Sequence, residues 1–333
     1  MKRCILVTGA AGFLGGRTAK FLAEYFGEYQ IVATSRRDTR ALEFINHNCH
    51  FVPGDLCNFE FCESVLKHTE IVIHCAALSA PFGPYESFYQ SNYIATKTLL
   101  EASIKNKVRR FIFISTPSIY FNYSDRFNVR ESDLLPEKMV NHYAQTKLLA
   151  ENIVLQNNGK VIDTMALRPR AIIGAEDTVI FPRMLEAYHK GKLKIVGDGK
   201  NICDFTCVRN VMEAIVCGIK APQSAFGEAY NITDGEAVHF WEALNFALKS
   251  LDLKPPTQRI PKQLALLVAG FMEYKAHIMN ETKEPPLTKY SVGILANHFT
   301  MDISKARTNL NYKPVMKTFE GIQEYILWHK TQQ

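Results

Sequence analysis

The sequence predicts an α/β fold, a doubly wound parallel sheet followed by a smaller C-terminal region. Three observations carry this expectation. Over roughly the first 170 residues, short apolar runs alternate with stretches of helical periodicity. A glycine-rich turn directly follows the first of those runs. Beyond about Ala171 the alternation breaks up at Pro182, at the Gly197–Gly199 turn and at the pairs Pro255-Pro256 and Pro285-Pro286. The expected division is residues 1–170 for the sheet and 171–333 mainly for a substrate region, with some later segments returning to the sheet.

The elements can be justified in order. Cys4-Ile5-Leu6-Val7 is apolar throughout, as suits a parallel strand buried on both faces. Thr8-Gly9-Ala10-Ala11-Gly12-Phe13-Leu14-Gly15 follows at once, and 13–26 then reads as a helix. Glycine lets the chain turn sharply there and lets backbone amides at the helix N-terminus approach a pyrophosphate. Gly9, Ala11, Gly12, Phe13, Leu14 and Gly15 are therefore candidate dinucleotide contacts. Their spacing is Gly-x-x-Gly-x-x-Gly rather than Gly-x-Gly-x-x-Gly. Further strands are expected at 30–34, 50–52, 70–74, 111–115 and 164–167, with helices between them.

About twenty residues past the glycines, a dinucleotide site usually places an acid for the ribose 2′-hydroxyl. Here stand Ser35, Arg36 and Arg37. A serine with two guanidinium groups suits a 2′-phosphate, so NADP is the expected cofactor, with NAD as the alternative. Asp38 follows and would enter the site if the strand end were shifted.

Tyr143 and Lys147 lie four residues apart, on one face of an expected helix. A phenol ordinarily titrates near 10, too high to exchange protons readily at neutral pH. A neighbouring ammonium favours tyrosinate and fits the phenol for proton exchange with an alcohol or ketone. Beside a nicotinamide, that pair gives carbonyl–alcohol redox chemistry.

Together these segments resemble the extended short-chain dehydrogenases/reductases, and the likeness runs from Lys2 to about Lys330. In that family Thr-Gly-x-x-Gly-Phe-Leu-Gly opens the chain and Tyr-x-x-x-Lys is the catalytic pair. The resemblance implies that Gly54-Asp55-Leu56 reaches the adenine through Asp55 and Leu56. It also implies that His74-Cys75-Ala76-Ala77 passes beneath the cofactor, with Ala76 and Ala77 in contact. Asn92 to Thr96 resembles a family helix that carries alanine here in place of glycine, and Asn92 is a further cofactor candidate. Pro169 in Leu167-Arg168-Pro169-Arg170 is another. Counting back from Tyr120 puts the catalytic hydroxyl on Thr116, with Ser115 and Ser118 as alternatives.

Within the family the chain is most similar to the 3β-hydroxysteroid dehydrogenase branch, which includes sterol-4-carboxylate dehydrogenases and 2-alkyl-3-oxoalkanoate reductases. The segments that carry this likeness are 167–174, 196–206, 230–236 and Phe240-Trp241. Sugar-nucleotide enzymes usually carry asparagine where Ala171 stands, so a bulky apolar substrate is expected. Sterol-4-carboxylate enzymes generally use NAD with an acid near Ser35, and this chain departs from them there. The alternatives are a nucleotide-sugar epimerase or dehydratase, revealed by a cofactor that returns unchanged, and a non-catalytic dinucleotide-sensing regulator. A sensor has no need of Thr116, Tyr143 and Lys147 together.

The 333 residues are 47% apolar and 22% charged, enough for a large core, and the net charge of +6 is spread along the chain. An ordinary solvated surface is therefore expected, with no nucleic-acid partner. The eight cysteines include no Cys-x-x-Cys and read as reduced thiols. Cys203 and Cys207 with distant histidines are a weaker reading, and no metal is expected. Met1-Lys2-Arg3 leads straight into the first strand, which fits a cytoplasmic protein. Residues 260–279 carry Leu264, Leu267, Val268, Phe271, Met272, Ile278 and Met279 near Arg259, Lys262 and Lys275. This stretch is expected to be a core helix, a lid over the pocket, or a peripheral membrane contact. Self-association into a homodimer is left open.

Overall fold

The computed structural model describes residues 3–37, 49–279 and 284–332. Its main sheet has seven parallel strands. In spatial order they are Ala229–Ile232, Asp163–Pro169, Arg110–Ile114, Thr69–His74, Arg3–Thr8, Tyr29–Ser35 and Cys49–Pro53. The six expected strands are all present. The seventh is the later segment that returns to the sheet, and its Ile232 pairs with Pro169.

Both faces of the sheet are covered, which explains why its strands lack polar alternation. Successive side chains point to opposite faces. Ile5 and Val7 pack with Leu22, Val211 and Ile215 on one side. Leu6 between them packs with Leu99, Val108, Ala150 and Val154 on the other.

The order reverses between Arg3–Thr8 and Thr69–His74. At that switch point the loops after the two strands diverge and leave a crevice at their carboxyl ends. The helix Phe13–Tyr25 points its N-terminus into the crevice. The helix His142–Gln156, capped by the Asn141 side chain on Ala144 N at 2.8 Å, carries Tyr143 and Lys147.

A second sheet joins Val238–His239, Ile202–Cys203, Phe299–Met301 and Arg126–Val129. Residue 170 is thus crossed both ways. Ala229–Ile232 enters the first sheet, while Arg126–Val129 joins the second, where Phe121 and Val129 pack on Phe299 and Met301.

The stretch 260–279 forms the helix Lys262–Ile278. It is not an ordinary core helix. Its buried face is Ala265, Ala269 and Ala276. Leu267 (70% exposed), Phe271 (67%), Tyr274 (64%) and Ile278 (60%) face outward. Small residues allow close backbone approach, so the alanine face packs and the bulky side chains are left outside. Among the described residues no helix is long and apolar enough to cross a membrane.

Candidate active site

One cavity of about 1300 Å³ runs along the carboxyl ends of the central strands and into the C-terminal region. All the expected site residues line it except Asn92.

At one end lies a cradle shaped by glycine. Gly9 has φ +72°, and a Cβ there would sit 2.9 Å from the Ala76 backbone. A Cβ on Gly15 would sit 2.3 Å from the Gly9 carbonyl oxygen. The strand–helix turn closes only because both lack side chains. Gly12 at the N-cap makes no side-chain cap, and no acid lies in the first turn of the helix. Its amides thus remain available to an anion, as a pyrophosphate requires. Ala11, Phe13 and Leu14 complete the turn.

Ser35, Arg36 and Arg37 line the cavity at the end of Tyr29–Ser35. The Ser35 hydroxyl donates to the Arg37 carbonyl at 2.5 Å, curling the strand end, and both arginines are exposed. Asp38 lies outside the described residues. Asp55 and Leu56 form the opposite wall, where Asp55 accepts a bond from Cys57 N at 3.0 Å.

The floor is Ala76 and Ala77, held by a buried chain of polar groups. Thr8 Oγ1 accepts from Ala76 N at 3.1 Å and bonds His74 Nδ1 at 2.7 Å. His74 Nε2 bonds Thr96 Oγ1 at 2.9 Å. Burial, helped by the Lys147 charge, pushes His74 down to about 3, so the imidazole is a neutral strut. Asn92, expected as a cofactor contact, belongs to this brace instead of the cavity lining. Its carboxamide bonds Leu78 N at 2.7 Å, Leu78 O at 3.2 Å and Thr146 Oγ1 at 3.1 Å. With both ends of its amide used, it ties the floor to the helix His142–Gln156.

Tyr143, Lys147 and Thr116 meet where the cradle opens into the C-terminal region. Lys147 is 2% exposed and donates to the Ile114 carbonyl at 2.5 Å, with its ammonium 3.8 Å from the Phe113 ring centroid. Burial lowers it to about 7. Burial also dominates at Tyr143 and raises its phenol above the ordinary value. Hydrogen bonding from Thr116 and Ser79 pulls the other way. Desolvation outweighs those two bonds, and the downward push expected from Lys147 is not among the causes at Tyr143.

Thr116 caps the turn Pro117–Tyr120, accepting from Ser118 N at 3.2 Å. Its hydroxyl donates to Ser118 Oγ at 3.1 Å, and Ser118 Oγ bonds Tyr290 OH at 2.8 Å. Thr116 and Ser118 therefore act as one unit. Ser115 lines the cavity but its buried Oγ has no partner. Ser79 and Tyr290 are site residues the sequence did not reveal. Tyr290 lies in the first turn of the helix Lys289–Ala296, 147 positions past Tyr143, and nothing in its spacing marks it. Pro169 ends its strand at the cavity wall.

Comparison with known proteins agrees with this geometry. Residues 6–262 match the model of the 3-beta hydroxysteroid dehydrogenase/isomerase family. The chain is 32% identical, over 98% of its length and 79% of the relative's, to 3beta-hydroxysteroid-dehydrogenase/decarboxylase isoform 1 of Arabidopsis thaliana. It is 30% identical to the 2-alkyl-3-oxoalkanoate reductase of Shewanella oneidensis, over 95% of this chain and 84% of that one. Among solved structures, a UDP-glucuronic acid 4-epimerase from Bacillus cereus in complex with NAD superposes with a TM-score of 0.78 at 23% identity, covering 98% and 99% of the two chains. That likeness shows the shared fold. The chain belongs to the 3-beta hydroxysteroid dehydrogenase/isomerase family, a family of NAD(P)-dependent oxidoreductases.

Proposed function

We propose that this family member interconverts a secondary alcohol and a ketone on a bulky apolar substrate, of the sterol or long-chain 3-oxoacid type, with NADP(H). The observation that carries the reading is one cavity in which Thr116, Tyr143 and Lys147 adjoin a wall rich in Ile180, Met184, Val196, Phe205, Phe240 and Leu287. Apolar burial yields about 25 cal/mol per Å², so a sterol or long acyl chain binds there through area. The named activities of the Arabidopsis and Shewanella relatives support the same class.

The glycine cradle holds the dinucleotide, which supplies or accepts the hydride when bound. Thr116 holds the substrate oxygen. In the reductive direction Tyr143 delivers the proton to that oxygen, and its raised pKa keeps the phenol protonated for that task. Lys147, held on the Ile114 carbonyl, would bind the nicotinamide ribose. Arg36 and Arg37 read the 2′-phosphate and favour NADPH over NADH. Ala171 offers no amide to a sugar nucleotide.

The test is a screen of sterols, steroids and long-chain oxoacids for NADPH oxidation, with UDP-galactose binding measured by calorimetry beside it. Turnover of a sterol or oxoacid without UDP-galactose binding is expected. Micromolar UDP-galactose affinity with no response to any apolar substrate would replace this reading with an epimerase.

We also propose that the outward face of Lys262–Ile278 rests on an anionic membrane surface. Its apolar side chains are flanked by Lys262, Lys275 and His277, the arrangement of an interfacial helix. Ile260 and Ala265 at its start line the cavity, so a poorly soluble substrate would meet the pocket directly.

A further inference from the structure

Three arginines are buried among the described residues: Arg110, Arg168 and Arg170. Arg168 is fully answered, and Arg110 is answered at its two terminal nitrogens and by a nearby carboxylate, its Nε alone lacking a hydrogen bond. Arg168 Nε donates to Glu151 at 2.9 Å, with further bonds to Glu151 and Tyr120. Arg110 donates to the carbonyls of Ile219 and Ala221 and lies 3.9 Å from Asp163. Arg170 differs. It is 7% exposed, yet its guanidinium makes no hydrogen bond and no ion pair with any described residue. Its Nε is sealed from solvent without a partner, and its Cζ sits 4.6 Å from the Phe299 ring centroid. Only its backbone is bonded, to Thr206 Oγ1 at 3.0 and 2.6 Å and to the Ile232 carbonyl at 3.2 Å.

A guanidinium does not deprotonate in proteins, so its charge cannot be shed as a lysine's can. A buried cation with unanswered donors is costly unless an anion arrives. Asp204 lies close enough to sense Arg170, but it forms no ion pair with it. Burial raises the Asp204 carboxyl to about 7, against the pull of its Met301 N bond and of Arg170. Near neutrality it supplies only part of a counter-charge.

Arg170 lines the same cavity as Tyr143 and Thr116. We infer that Arg170 is an anion-binding subsite of the substrate half, which takes one carboxylate of the substrate whose reacting oxygen stands at Tyr143. The inference rests on the function proposed above and narrows its substrate class to acids. A planar fork fits a carboxylate with two parallel bonds. The nearby Asp204 disfavours a dianionic phosphate. Lys192 and Lys194, exposed on the cavity rim, favour the approach of an anion.

The test is calorimetry at saturating NADPH with dodecanoate and lithocholate, their methyl esters, and dodecyl phosphate. Wild-type protein is compared with Arg170→Met and Arg170→Lys. At least one acid should bind tenfold or more tighter than its ester. Arg170→Met should erase that difference and leave NADPH affinity within twofold, and Arg170→Lys should retain part of it. Without ligand, Arg170→Met should melt at the same temperature or higher, because an unanswered buried charge is gone. Equal binding of acids and esters, or a difference that survives in Arg170→Met, overturns the inference. So does a tenfold loss of NADPH affinity, which would assign Arg170 to the cofactor, or a tenfold preference for dodecyl phosphate over the acids. Binding needs no turnover. Arg170-dependent acid binding in a protein that reduces no ketone would sustain the subsite and overturn the proposed reaction instead.

Discussion

Lys147 shows what one buried charge costs and provides. Its burial lowers it from the usual lysine range to about 7. In the unfolded chain it titrates near its ordinary value of about 10.4. Between those two values the unfolded state binds more protons, so this group makes stability rise with pH across that window. Below pH 7 the full desolvation penalty applies. Lys147→Met should therefore be more stable relative to wild type at pH 6.5, and that advantage should shrink by pH 9. Denaturant melts at both values check this, and a widening gap would contradict it. The hydroxyl chain from Thr116 through Ser118 to Tyr290 gives a second expectation. Tyr290→Phe removes one hydrogen-bonding partner and should lower turnover by about tenfold or less, the scale of one lost hydrogen bond. Kinetics of this variant with unchanged NADPH affinity would agree. A loss matching that of Tyr143→Phe would instead give Tyr290 the proton-transfer role.

At the scale of elements, legibility followed the length of each run. The six expected strands were readable because all but the edge strand Cys49–Pro53 are largely buried on both faces, and all are bounded by turn or helix signals. Ala229–Ile232 was not, since four residues carry too little pattern, and the second sheet is built from pieces of two to four. The helix Lys262–Ile278 was readable as a helix but not in its orientation. Its apolar residues left open a core helix, a lid or a membrane contact, and in the fold the alanines pack. The proposed catalytic pair could be read from the sequence because Tyr143 and Lys147 are local to one helix. Ser79, Tyr290 and the isolation of Arg170 arise from tertiary contacts between distant segments and leave no local trace. Asn92 was recognised, but a resemblance does not show which way an amide is bonded, and here it lies in the brace outside the cavity lining. Two element-level outcomes follow. Gly15→Ala would drive a Cβ into the Gly9 carbonyl at 2.3 Å, and backbone cannot yield there as a flexible side chain can. NADPH binding should fall at least tenfold, as titration of protein fluorescence would show; an unchanged affinity would contradict the cradle. Replacing Arg36 and Arg37 with alanine should weaken NADPH by roughly 2–4 kcal/mol, the scale of lost charge-assisted bonds, with NADH nearly unchanged. Equal losses for both cofactors would mean that these arginines do not read the 2′-phosphate.

At the scale of the whole molecule, the sheet holds the cofactor cradle while the C-terminal region supplies the apolar wall and the outward helix. The proposed membrane contact would be favoured by the chain's net charge of +6 and would be made by the exposed Leu267 and Phe271. Co-sedimentation with vesicles containing phosphatidylserine should be lost in Leu267→Asp/Phe271→Asp, and the folded melt should be kept because both side chains are exposed. Equal sedimentation of the double variant and wild type would exclude this face. The most direct measurement of the central claim is Tyr143→Phe, assayed for NADPH-dependent reduction of the best substrate alongside NADPH binding. Removing the phenolic proton should cut turnover by about two orders of magnitude or more and leave cofactor affinity within about twofold. Turnover within tenfold of wild type would contradict the assignment of Tyr143 as the group that moves the proton.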